Sequence, residues 1–158
     1  MSPLGEYFPA ELLRPRIAAA LKPGCVIKLL VKFPQITKEK YLVLVAEDDP
    51  EYLTFVVNSE INPFIANRQY LLQCQVAIDA ANHDFLEHDS HVACHEIRAM
   101  KREEVIKSLM ADPAGIKGEV SPDVRAQIVA AVKFAKTIDK DKKNRIIAAL
   151  ESKDTCPR

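Results

Sequence analysis

The sequence predicts an α+β domain with a mainly β core: a small, strongly bent antiparallel β-barrel flanked by helices. Three observations carry that expectation. Apolar, β-branched runs of strand length recur at short spacing between Cys25 and Asn58, the apolar period becomes helical beyond Lys101, and ten prolines against four glycines mark fixed corners rather than flexible linkers. At 158 residues the chain can bury one core without disulfide or metal help. We read 1–158 as a single domain, with an N-terminal helical extension over 1–21, the barrel over 22–100 and C-terminal helices over 101–152.

Taken in order, PAELLRPRIAAALKPG reads as a short helix interrupted or restarted at Pro15, because proline lacks a backbone donor but suits a first helical turn. Pro23-Gly24 turns the chain. CVIKLLVKF is apolar at nearly every position, the mark of a strand covered on both faces. After the polar loop QITKEK, YLVLVAE is a second strand, and after DDPE, YLTFVVN is a third. Short connections make these an antiparallel meander, which bends round on itself.

LLQCQVAIDA reads as a fourth strand with Cys74, Val76 and Ile78 on one face. HVACHEIRAM reads as a fifth, with Val92 and Cys94 inward and His91 and His95 opposite. KREEVIKSLM places Val105, Ile106 and Leu109 on one side of a helix. Ser121-Pro122-Asp123 combines a hydroxyl cap, a first-turn proline and an acid at the positive helix end, followed by an apolar stripe through Val124, Ile128, Ala131, Val132, Ala135 and Ile138. DKDKKNRIIAALES is a last short helix, and DTCPR frays.

Lysine plus arginine and aspartate plus glutamate both total 22, so no overall field announces a polyanion or a membrane. Any such site must be local. No apolar run approaches the ~18 to 20 residues that cross a bilayer, and the first residues lack a basic segment followed by an apolar one, which predicts a cytoplasmic protein with no membrane partner. Cys25, Cys74, Cys94 and Cys156 are scattered singly and are expected to be free thiols, the first three as small core residues.

Four stretches, in order, resemble the PemK/MazF-like toxin family. LKPGCVIKLLV resembles its opening turn and first strand, with Cys25 where an aspartate is usual. KYLVLV resembles its second-strand motif, with Lys40 at the arginine position and Tyr41 at the proline. DSHVACHEIRAM resembles its late strand motif, with His95-Glu96-Ile97-Arg98 at the Asp-Gln-[Ile/Val]-[Arg/Lys] ending. KGEVSPDVRAQIVAAV resembles the entry to its C-terminal helix. Together they span Leu21 to Ile138.

That resemblance implies an SH3-like barrel and a growth-inhibiting toxin that cleaves single-stranded RNA sequence-selectively, with neither metal nor other cofactor. It also implies a symmetric homodimer and a small, partly disordered antitoxin threading the same cleft. The family uses a strand-two arginine and a strand-three threonine or serine; at the matching positions stand Lys40 and Ser59, the candidate catalytic pair. Lysine brings a point charge but not the bidentate fork that suits a phosphoryl transition state. Lys38, Arg68 and Arg98 are the candidate RNA-binding residues. The competing structural readings are a solvated loop charge for Lys40, a turn residue for Ser59 and a surface arginine for Arg98.

All four histidines, His83, His88, His91 and His95, fall within thirteen residues. On one extended strand His91 and His95 would stand about 13 Å apart, too far to share a zinc ion. They are instead either a merely polar rim or acid-base groups at the RNA cleft, with Asp89 and Glu96 as orienters and no metal assigned. Two further functions stay open: an RNA- or protein-binding module that has lost cleavage, and a metal-dependent hydrolase built on the histidines.

Overall fold

The computed structural model describes residues 9–152. Six helices and seven strands follow one another as α1 (Ala10–Ala20), β1 (Cys25–Lys32), β2 (Thr37–Asp48), β3 (Glu51–Asn58), α2 (Pro63–Ala66), α3 (Gln69–Leu72), β4 (Gln75–Ile78), β5 (Ser90–Ala93), β6 (Arg98–Lys101), α4 (Arg102–Ala111), β7 (Ile116–Glu119), α5 (Pro122–Phe134) and α6 (Lys140–Glu151). The expected α+β architecture, an antiparallel sheet flanked by helices, is what the chain adopts.

The three-strand meander is present, with β2 pairing β1 on one side and β3 on the other. The ladder runs β4-β5-β3-β2-β1-β7, with β6 also paired to β3. Its two end strands, β4 and β7, are not hydrogen-bonded to each other. The sheet is therefore bent but open, and the expected barrel closure is absent.

Helices cover both faces. One core lies between β-strand residues such as Val43, Phe55, Val57 and Val92 and the stripe of α5 and α6, including Ile128, Val132 and Ile146. The other lies between Ile27, Leu29, Leu42 and Leu44 and the two helices α1 and α4, through Ile17, Leu21, Val105 and Leu109. The run CVIKLLV is covered on both sides only over Cys25–Ile27; farther along, one face opens, with Leu30 65% exposed, against the two-sided covering its composition predicts.

Three further local expectations need correction, and one strand was not anticipated. Helix α1 continues through Pro15 without a break; the proline leaves the Glu11 carbonyl without its helical donor, a loss offset by burial of Ile17 and Leu21 beyond it. LLQCQVAIDA begins as α3 and becomes strand only at Gln75, although Cys74, Val76 and Ile78 are all buried. HVACHEIRAM is not one strand: the chain turns between Ala93 and Arg98, giving β5 and β6. The turn at DPAGIKG leads into β7, which binds the β1 edge with Cys25 opposite Glu119 and Val26 opposite Gly118.

The Pro23-Gly24 turn is real, and it needs its glycine, whose φ is +97°. The N-cap is also as expected, with the Ser121 hydroxyl accepting from the Val124 N–H at 3.2 Å. Cys25, Cys74 and Cys94 are free and buried; burial pushes the Cys25 thiol up to about 11 and also raises Cys94 well above the ordinary thiol value. Cys156 and the DTCPR end expected to fray lie outside the described residues.

Candidate nucleic-acid interface

Helices α1 and α4 leave one end of their sheet face uncovered, and several strands bring polar side chains to it. Residues directly opposite in an antiparallel pair project to the same side. Leu29 faces Lys40, Tyr41 faces Val57 and Asn58 faces His91, so Lys40, Asn58 and His91 form a row across β2, β3 and β5. Lys40 Nζ donates to Asn58 Oδ1 at 2.7 Å. Arg98 stands opposite Thr54 on the same face, and the buried Thr54 hydroxyl donates to the Arg98 carbonyl at 2.7 Å.

Asn58 and Arg98 line a hollow of about 370 Å³ whose floor includes Val56 and Ala93 and whose sides include Phe33 and Phe64. A second hollow of about 520 Å³ shares Phe64, His95 and Glu96 with the first, so the two form one groove. Phe64 comes from α2, which the Asn62 side chain caps by accepting the Ile65 N–H at 3.0 Å. Two arginines lie on the groove's aromatic rings. The Arg98 guanidinium carbon is 4.9 Å from the Phe33 ring centre, and that of Arg68 is 3.6 Å from the ring of Phe64, a residue 60% exposed. Arg68 also donates to the Phe64 carbonyl at 2.9 Å.

Burial lowers the Lys40 pKa, and the neighbouring Lys38 charge lowers it further. Desolvation likewise lowers His95, against an opposing pull from Glu96. The His95 tautomer is set from behind. Gln75 Nε2 donates to the Leu71 carbonyl at 3.1 Å, which fixes the amide orientation, and the same nitrogen is 2.9 Å from His95 Nδ1. Nδ1 therefore accepts, and neutral His95 carries its proton on Nε2.

The predicted site residues divide as follows. Lys40 reaches the groove through Asn58, while Arg98, His95 and Glu96 line it directly. Arg68 borders it by stacking on Phe64. Lys38 is an exposed strand residue of β2 rather than a loop residue. Ser59 is exposed in the bend after β3 and does not line the groove. His91 stays on the Lys40–Asn58 face outside the lining, its Nδ1 buried without a partner. Asp89 is committed to accepting the Ala80 N–H at 2.8 Å, so it does not orient His91.

The histidines do not form a cluster. Since the chain turns after Ala93, His91 and His95 do not share the single strand expected of them. His83 is buried and structural: its Nδ1 donates to the Asp79 carbonyl at 2.8 Å and its Nε2 accepts from the Ser121 N–H at 2.9 Å. His88 is exposed. Among the described residues no three His, Cys, Asp or Glu side chains gather in a metal-holding group, so the hydrolase reading has no ligand set to rest on.

Asn58, Phe33 and Phe64 escaped the sequence reading. Asn58 ends an apolar run and reads there as a strand terminus, while Phe33 and Phe64 read as ordinary apolar residues beside prolines. Only the register of β2 on β3 shows that Asn58 holds Lys40. Neither a scan against models of known protein families nor a search of curated proteins finds a match for this chain. No helix among the described residues is long and apolar enough to cross a membrane.

Proposed function

We propose that the groove binds single-stranded RNA and that the chain is a divergent PemK/MazF-like endoribonuclease. The observation that carries this reading is the pairing of cations with aromatic rings along one groove, Arg98 on Phe33 and Arg68 on the exposed Phe64, with the Lys40 ammonium nearby on Asn58. Single-stranded nucleic acid asks for this combination, since cations track the phosphates and rings accept unstacked bases. Because net charge is zero, attraction comes from these local cations rather than from the whole molecule.

For cleavage, the 2′-oxygen attacks the adjacent phosphorus and gives its proton to solvent water; the new bond closes a 2′,3′-cyclic phosphate, the bond to the 5′-oxygen breaks, and negative charge builds on the phosphate oxygens while the 5′-oxygen takes up a proton. Arg98 supplies fixed positive charge, and Lys40, its pKa lowered by burial, is an ammonium that gives up a proton more readily than a solvated lysine. His95 offers its Nε2–H to a phosphate oxygen. The homodimer and the antitoxin partner belong to the same proposal.

A second reading, RNA binding without cleavage, is favoured by two observations. Gln75 and the Leu71 carbonyl hold His95 in the tautomer whose Nε2 is already protonated, so that nitrogen does not take up the 2′-hydroxyl proton, and Ser59 lies outside the groove. The two readings separate when purified protein is incubated with a long single-stranded RNA, with and without EDTA, alongside Lys40→Ala and Lys40→Arg. Discrete fragments that resist EDTA, disappear in Lys40→Ala and increase in Lys40→Arg are expected of the enzyme. Intact RNA that is nevertheless retained in a binding assay identifies the module, and RNA neither bound nor cut ends both readings.

A further inference from the structure

We propose that the second hollow is a base-recognition pocket for guanine, read by the Glu96 carboxylate while the base stacks on Phe64; this rests on the RNA reading above. The hollow shares Phe64, His95 and Glu96 with the phosphate-side hollow, so a base attached to a backbone held there has a direct way in. Its volume of about 520 Å³ admits a purine. The exposed Phe64 ring carries Arg68 at 3.6 Å, a cation and a π surface at the entrance.

The identity of the base follows from which wall carboxylate keeps both oxygens available: Asp139 commits one to its helix cap, and Glu96 commits neither. Thr137 donates its hydroxyl to the His95 carbonyl. Asp139 caps α6 by accepting the Lys142 N–H at 3.0 Å. The Lys142 ammonium is 3.1 Å from the Asp48 carboxylate, and His95 Nδ1 is occupied by Gln75. Glu96 is exposed and makes no hydrogen bond or ion pair among the described residues. An ionised carboxylate only accepts, through two oxygens side by side. It therefore matches an edge presenting two adjacent N–H donors. Guanine has that edge, in N1–H and the N2 amine. Adenine and cytosine place a ring-nitrogen acceptor beside their amine, and uracil flanks its single N–H with two carbonyls, so each would set an acceptor against the carboxylate.

The test measures fluorescence anisotropy of short uridine-rich RNAs carrying one central guanine, inosine or adenine, with 2′-O-methyl groups to prevent cleavage. The guanine RNA is expected to bind about tenfold more tightly than the adenine RNA, as one good bidentate contact provides, with inosine between them because it lacks the N2 amine. In Glu96→Gln the guanine-to-adenine ratio should fall to within about twofold, while Glu96→Asp should keep the order of preference. Equal guanine and adenine affinities in the unmodified protein, with binding still weakened by Arg98→Ala, overturn the guanine pocket and leave the RNA reading standing. Failure of every RNA to bind overturns both.

Discussion

Lys40 is an ammonium held half-buried against a single side-chain oxygen, and Asn58 supplies it at 2.7 Å. Removing that oxygen strands a charge in a poorly solvated place. Asn58→Leu is expected to lower stability by about 1–3 kcal/mol, read as a reduced urea midpoint at an unchanged m-value, and to weaken RNA binding as well. His95 gives a pH dependence of definite sign. Its folded pKa lies below the ordinary 6.5, so the unfolded chain binds the proton first on acidification. Stability is then full above 6.5 and declines as pH falls through the folded value. Urea titrations of the unmodified protein and of His95→Gln should diverge as pH is lowered from about 7.5 to about 5, the unmodified protein losing more. Parallel pH profiles would remove the desolvation argument.

At the level of elements, the turn before β1 joins distant parts of the chain. Gly24 donates to the Leu44 carbonyl at 2.7 Å and accepts from the Val120 N–H at 2.9 Å. Arg125 reaches from α5 to the Pro23 carbonyl at 2.9 Å and to the Leu150 carbonyl at 2.7 Å. An added Cβ at Gly24 would come within 2.4 Å of the Arg125 Nη1, on a residue whose φ is +97°. Gly24→Ala should therefore destabilise by about 1–2 kcal/mol from backbone conformation alone, measured by thermal or urea unfolding. Legibility in the sequence varied with how local the cause was. The cap at Ser121 and the turn at Gly24 were readable because their chemistry lies within a few residues. Strand β7 was not, since IKGE has no alternating apolar pattern and becomes a strand by pairing with an edge formed ninety residues earlier in the chain.

For the whole molecule, equal numbers of acidic and basic residues mean that any polyanion affinity must arise at the groove. Salt dependence measures that directly. If Arg98 contacts a phosphate, Arg98→Ala should reduce the slope of log affinity against log salt by about 0.7, the value for one phosphate contact on a single strand. An unchanged slope would place the arginine away from the backbone. The same groove shows why the candidate site was only partly readable. Lys40 and Arg98 were singled out by their positions in the family-like motifs, and His95 and Glu96 by their chemistry, all of which a sequence displays. Asn58, Phe33 and Phe64 were missed because their importance comes from which strand or helix stands beside them.

By itself the sequence determined that this chain forms an α+β fold with a three-strand antiparallel meander, a capped apolar C-terminal helix and three buried, unpaired thiols. These follow from periodicity, turn chemistry and side-chain size, all of which act over short stretches of chain. Tertiary structure alone decided that the sheet stays open, that Lys40 rests on Asn58, and that the four histidines separate into a buried tether, an exposed residue, one beside Asn58 outside the groove lining and one groove-lining imidazole. Each of those outcomes depends on contacts between segments far apart in sequence. Their free energy comes from register and burial in the assembled core, which no local pattern of residues encodes.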